Sequence, residues 1–146
     1  MDWLLVSANL APGPDYGAGV RRILPQYDNV PTRAWLMTFL LDLGVKQSDG
    51  AIRFTVEEGP PGLDLKRVVA EFQFEETCSV RLGTETFEWH RGERLRLFFS
   101  YRFTPDRVCK LLGQQGIVVV NQWVTRAEEE GVFLCRRGLQ AGPIHP

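Results

Sequence analysis

Between residues 51 and 103 the chain offers strand patterns and nothing else. "AIRFTVEEG" (51–59), "LKRVVAEFQFEET" (65–77) and "ETFEWHRGERLRLFFSYRF" (85–103) follow one another with only short turns between them. A doubly wound α/β fold needs a helical crossover between successive parallel strands. An unbroken run of strands therefore argues against a complete doubly wound domain and points to hairpins. The third segment reads as a hairpin turning at Arg91–Gly92.

Helices are expected on both sides of this run. Thr32, after Pro31, is a plausible N-cap, and Trp35, Leu36, Phe39, Leu40 and Leu43 recur at helical spacing until Gly44 ends the pattern. Thr104 and Pro105 supply the cap and first position of a second helix over "DRVCKLLGQQG". Two more strands, "IVVVNQWVT" and "GVFLCRR", close the chain around the charged turn "RAEEEG". Ahead of the first helix, "DWLLVSANL" (2–10) is apolar on both faces, the pattern of a buried parallel strand. It runs into "APGPDYGAG", and "VRRILPQYDNVP" then reads as a turn of helix followed by a loop. The sum is an α+β domain over residues 1–137, with a mixed, largely antiparallel sheet and two main helices. Residues 138–146 are expected to form a flexible tail.

Charge narrows the function classes. Seventeen basic and eighteen acidic side chains leave a formal charge of −1, so no strong field draws the protein to nucleic acid or to an anionic membrane. No apolar run approaches the roughly 20 residues that cross a bilayer. The first residues lack the basic region of a signal peptide. Three cysteines, an odd and widely spaced set, are then expected as reduced thiols in a cytoplasmic protein.

Several motifs invite chemistry and have plainer explanations. "DYGAGV" (15–20) looks like a nucleotide loop, yet "PGP" separates it from the preceding strand. Asp42, at about the spacing of the acidic partner, falls in the expected helix. His90 borders a turn and His145 lies in the tail, and neither has metal-ligand spacing to a cysteine. "EEE" at 128–130 is a solvated turn, and the Arg94, Arg96 and Arg102 row is the wet face of a hairpin that could also meet an anion. Tyr27, Asp28 and Asn29 set a hydroxyl, a carboxylate and an amide together before a helix, as an Asx cap or as part of a site.

The strand "RLRLFFSYRF" poses a sharper question. Leu95, Leu97, Phe99, Tyr101 and Phe103 share one face and are expected in the core. Phe98 then stands on the opposite face, with Arg96 and Ser100.

In order, "DWLLVSANL", "YDN", "GERLRLFFSYRF", "TPDRVCKLLGQQG" and "NQWVT…GVFLCRR" resemble the C-terminal half of the histidine-specific, S-adenosylmethionine-dependent methyltransferases of ergothioneine synthesis. The resemblance spans residues 2–137. In that family an acidic residue stands where this chain has Asn9, and the cofactor loop lies upstream of the matched region. A Glu and a Ser two positions apart hold the acceptor imidazole there, and the tyrosine of "YD" faces the same pocket. Carried over, the Ser is Ser100, the tyrosine is Tyr27 and the Glu position is Phe98. The resemblance thus implies a substrate pocket near Tyr27, Asp28, Asn29, Arg96, Phe98, Ser100 and Arg102, with histidine recognition lost through Phe98.

Three functions remain open at this point: a methyltransferase-like module that binds a small molecule or a partner, the acceptor half of a split methyltransferase, and a structural protein with a filled pocket. No cofactor and no metal is expected to be held by the chain alone. A homodimer through the N-terminal strand is expected, because that strand has neither lysine, proline nor bulge to blunt an open edge.

Overall fold

A computed structural model describes residues 2–138; the expected tail lies almost wholly outside the described residues. In chain order the elements are β1 (Trp3–Asn9), α1 (Tyr16–Arg22), α2 (Leu24–Tyr27), α3 (Val30–Leu43), β2 (Gly50–Glu58), β3 (Lys66–Phe74), β4 (Cys78–Leu82), β5 (Glu85–Trp89), β6 (Arg94–Arg102), α4 (Pro105–Gln114), β7 (Ile117–Val124) and β8 (Glu130–Arg137). The class is α+β. The strands form three sheets instead of one, in the orders β1-β8-β7, β2-β3-β6 and β4-β5. The described residues group into two compact units, one of residues 2–20, 59–66 and 101–138, the other of residues 21–58 and 67–100.

The first unit is built on an antiparallel sheet in which β8 is central. β7 and β8 pair as the sequence suggests, with a bulge between Val119 and Asn121. β1 also pairs antiparallel with β8, Trp3 opposite Arg136 and Asn9 opposite Glu130. This corrects the expectation of a buried parallel strand. Its one parallel contact is a single bridge from Leu10 to Phe103. β1 is an edge strand here, and Trp3, Leu4 and Leu5 stay exposed. Phe133 and Cys135 of β8 turn inward with Leu10 and Val108 of α4, and Val6, Ala8, Leu112, Ile117 and Val119 pack around them. Thr104 caps α4 by accepting from Arg107 N, with Pro105 in the first turn.

"DYGAGV" serves this unit's packing. Asp15 accepts from Ala18 N through its side chain and from Gly19 N through its carbonyl. The Tyr16 hydroxyl donates to Arg102 O and accepts from Lys66 N, while the Arg107 guanidinium lies 3.8 Å from the centre of its ring. Burial pushes the Tyr16 phenol above its ordinary range, against the backbone bond from Lys66 and the nearby Arg107 charge.

In the second unit β3 is central, and Val68, Val69, Ala70, Phe72 and Phe74 are buried along it. Phe72 meets Phe74 edge-on at 5.0 Å, and Phe74 stacks on Trp89 at 5.2 Å. α3 begins at Asn29, whose side chain accepts from Thr32 N, and ends at Gly44, whose φ of 97° suits a left-handed cap. The start thus lies three residues before the expected Thr32. Only Leu36 and Leu40 of the helix are buried, and Trp35 and Phe39 are exposed.

The turn expected at Arg91–Gly92 exists, but its flanking strands do not pair with each other. β5 pairs with β4 through a two-residue loop whose first residue, Gly83, has φ 61°. At the turn, Gly92 N donates to Phe74 O and Phe74 N to Glu93 O, which ties the start of β6 to β3. The expected core face of β6 also needs correction. Phe99 is 49% exposed, and its ring meets the Arg67 guanidinium at 5.6 Å instead of an apolar layer. Leu95 and Leu97 are half-buried.

The three thiols sort by burial. Cys78 and Cys135 are buried and Cys109 is exposed. In the native protein Cys109 alone should react quickly with a thiol reagent, the other two only on unfolding. Burial, then a hydrogen bond to the Asp49 carboxylate, pushes the Cys78 thiol up, and burial does the same to Cys135. A group that holds its proton more tightly when folded stabilises fully below its unfolded value, about 8.5 for a thiol. That contribution is lost as pH rises toward the folded values. The urea midpoint should therefore fall as pH rises above about 8.5, and less steeply in a Cys78→Ala/Cys135→Ala variant.

Candidate functional site

The candidate residues that meet do so within the second unit, where α2 leads into the capped start of α3. β6 alternates, so Arg96, Phe98 and Ser100 share a face. Tyr27, the last residue of α2, stacks on Phe98 with ring centres 5.5 Å apart and planes inclined by 26°. Its hydroxyl donates to Ser100 Oγ at 3.2 Å. Phe54 of β2 also meets Phe98, edge-on at 6.2 Å. Phe98 thus contacts two other rings, which answers why an apolar ring stands on this face. Separations of 5–6 Å are ordinary aromatic contact, and a hydroxyl pair at 3.2 Å leaves no space for a ligand between Tyr27 and Ser100.

Asp28 and Asn29 are committed elsewhere. Asp28 accepts from Arg33 Nε at 2.6 Å, an ion pair that remains partly exposed. Asn29 accepts from Thr32 N through its side chain and donates from Nδ2 to Gln26 O. It is the Asx cap that its place in the sequence allowed. Arg96 is exposed, on the face of Phe98 and Ser100. Arg102 does not belong to a solvent rim. It is only 4% exposed, lies in the first unit and donates from Nη1 to Leu10 O. The end of β6 is drawn in there by the hydrogen bonds that Phe103 makes with Asn9 and Ala11.

Two residues of this cluster escaped the sequence reading. Arg33 donates to Ile52 O at 2.8 Å as well as to Asp28, and its guanidinium lies 5.3 Å from the centre of Phe54. Arg33 stands five residues after Asp28, in the first turn of a capped helix, a spacing that could have flagged the pair. Phe54 shares a face of β2 with Ile52, two residues before it, and carried no signal beyond apolarity. Arg33 also lines a groove of about 570 Å³ bordered by Val30, Met37, Leu41, Ile52 and Phe72.

Other motifs offer less chemistry. His90 is exposed, with Glu88 at 3.6 Å. Glu128, at φ 58°, turns its carboxylate to Gly13 N. Among the described residues no group of three His, Cys, Asp or Glu side chains could hold a metal ion. The segment from Ala11 to Val20, a loop and the start of α1, does not fit S-adenosylmethionine: Asp15 is spent on Ala18 N, and a Cβ on Gly19 would lie 2.4 Å from Pro12 O, so that glycine opens no cradle. No described helix is long and apolar enough to cross a membrane.

A family model described as histidine-specific methyltransferase, SAM-dependent, matches residues 64–137. That span takes in β3 through β8, and with them Phe98 and Ser100, but begins after Tyr27. A search of curated proteins found no match.

Proposed function

Because the chain belongs to the histidine-specific, SAM-dependent methyltransferase family, we propose that it is a module of that family which works by binding and not by methyl transfer. One observation carries the reading. The positions that resemble the family's acceptor-holding groups satisfy each other, Tyr27 bonded to Ser100 and stacked on Phe98. An imidazole entering there would have to displace a ring from an aromatic trio and find a donor or acceptor in place of the missing carboxylate. Losing a buried polar partner costs about 1–3 kcal/mol, and breaking a ring pair adds about 1 kcal/mol. Where binding of a small molecule is concerned, the groove beside α3 offers the room, with Arg33 as its one cation and Met37, Leu41, Ile52 and Phe72 as its apolar wall. A second copy of the chain is the proposed macromolecular partner.

Calorimetry tests this directly. Histidine and S-adenosylmethionine should give no measurable heat at millimolar ligand, a bound of about −4 kcal/mol on affinity. A micromolar constant for S-adenosylmethionine would refute the reading. Phe98→Glu, which puts back the carboxylate, should lose the aromatic contacts and melt earlier than the wild type.

A further inference from the structure

The free side of β1 has a backbone pattern fixed by the sheet. Leu10 N donates to Glu129 O, so the even-numbered residues of β1 turn their N–H and C=O toward β8. Trp3, Leu5 and Ser7 turn both groups away. From Asn9 onward that side is closed, because Phe103 N donates to Asn9 O and Ala11 N to Phe103 O. Among the described residues the open edge is therefore Trp3, Leu5 and Ser7, with Leu5 at its middle. The same three side chains point to the outer face of the sheet, where Trp3 is 56% and Leu5 64% exposed and Val118 and Trp123 also lie open.

We propose that a second copy of this chain pairs with that edge, antiparallel, about a two-fold axis through Leu5. Leu5 then stands opposite the partner's Leu5, and Trp3 opposite the partner's Ser7. This register occupies every open backbone group of the three residues in both copies. Other two-fold registers leave one of the three outside the open run. A two-fold pairing sets a strand against its own equivalents, which is unfavourable where charges face each other. β1 carries no charge from Trp3 to Asn9, so nothing in it opposes its own image. The result is a continuous six-stranded sheet that covers an edge otherwise open to unspecific pairing. The proposal names the partner of the binding module described above.

Light scattering on the full chain at tens of micromolar should give about twice 16.6 kDa. Leu5→Pro removes an N–H that makes no bond within the chain, a substitution edge strands tolerate. It should give 16.6 kDa with an unchanged circular dichroism spectrum. In a Cys109→Ser background, Leu5→Cys should oxidise to a covalent dimer, because facing residues of a hydrogen-bonded pair have Cα atoms about 5.5 Å apart, within disulfide reach. Ser7→Cys in the same background should not. A wild-type monomer would overturn the proposal, including one that grows only when a separate cofactor-binding chain is added. So would crosslinking through Ser7→Cys in preference to Leu5→Cys. The calorimetric test addresses residues outside β1, so the two readings can fail separately.

Discussion

Phe72→Ala is expected to lower the stability of the protein by about 4 kcal/mol, near the top of what one core truncation removes. Phe72 is fully buried, and its ring edge meets Phe74, which in turn stacks on Trp89 of the β4–β5 hairpin. The space it would leave is hard to fill by relaxation, because the backbone beside it is already close-packed. A Cβ on Gly50 would lie 2.1 Å from Gln73 O and 2.9 Å from the Phe72 ring. Against a total stability at the lower end of the usual range of about 5–15 kcal/mol, such a loss leaves a population of unfolded chains near room temperature. Urea unfolding followed by tryptophan fluorescence measures it, with Trp89 as a local reporter. Phe72→Leu keeps most of the volume and should cost less than half as much; an equal loss would mean that ring stacking, not volume, holds this core.

Gly19→Ala and Gly113→Ala should move stability in opposite directions. Both glycines sit in helices, where alanine is ordinarily better by about 1 kcal/mol. At Gly113 of α4 nothing lies within 4 Å of an added Cβ, so that gain should appear in full. At Gly19 the Cβ would lie 2.4 Å from Pro12 O and 3.2 Å from Ala11 C, both backbone atoms that cannot swing aside. Forcing the loop away costs about 1–3 kcal/mol and exceeds the helical gain. Melting temperatures of the two variants decide the matter. A neutral Gly19→Ala would show that the loop is soft and that the motif's glycine is not there for packing.

Local signals carried well from sequence to structure. Thr104 with Pro105, Gly44 after an apolar helix, and a charged turn between two strands each act within a few residues, and each formed as read. Pairing over longer range did not. β5 and β6 flank a genuine turn, yet the tighter two-residue loop at Gly83 gives β5 to β4, and β6 finds β3. Two turn signals competed, and the shorter loop took β5. α3 defeated periodicity for another reason: Trp35, Leu36, Met37, Phe39, Leu40, Leu41 and Leu43 wrap the helix, so the pattern could not say that Leu36 and Leu40 alone would be buried. In the candidate site, strand alternation set Phe98 and Ser100 on one face, but only the fold shows that Arg33 reaches Phe54 and that Arg102 is drawn away.

The pairing of β1 with β8 also governs when the molecule can be finished. Trp3 waits for Arg136, so β1 has no partner in this sheet until the residues of β8 have also been made. The hydrogen bonds that link residues 21–58 and 67–100 among themselves become available some thirty residues earlier, by the sequence positions of the elements. Contacts so distant along the chain close slowly. At an elongation rate of about 5–20 residues per second, an uncharged apolar strand spends seconds exposed before its sheet exists. Synthesis is thus the stage at which this protein is most prone to aggregate, and slowing translation should lower its soluble yield.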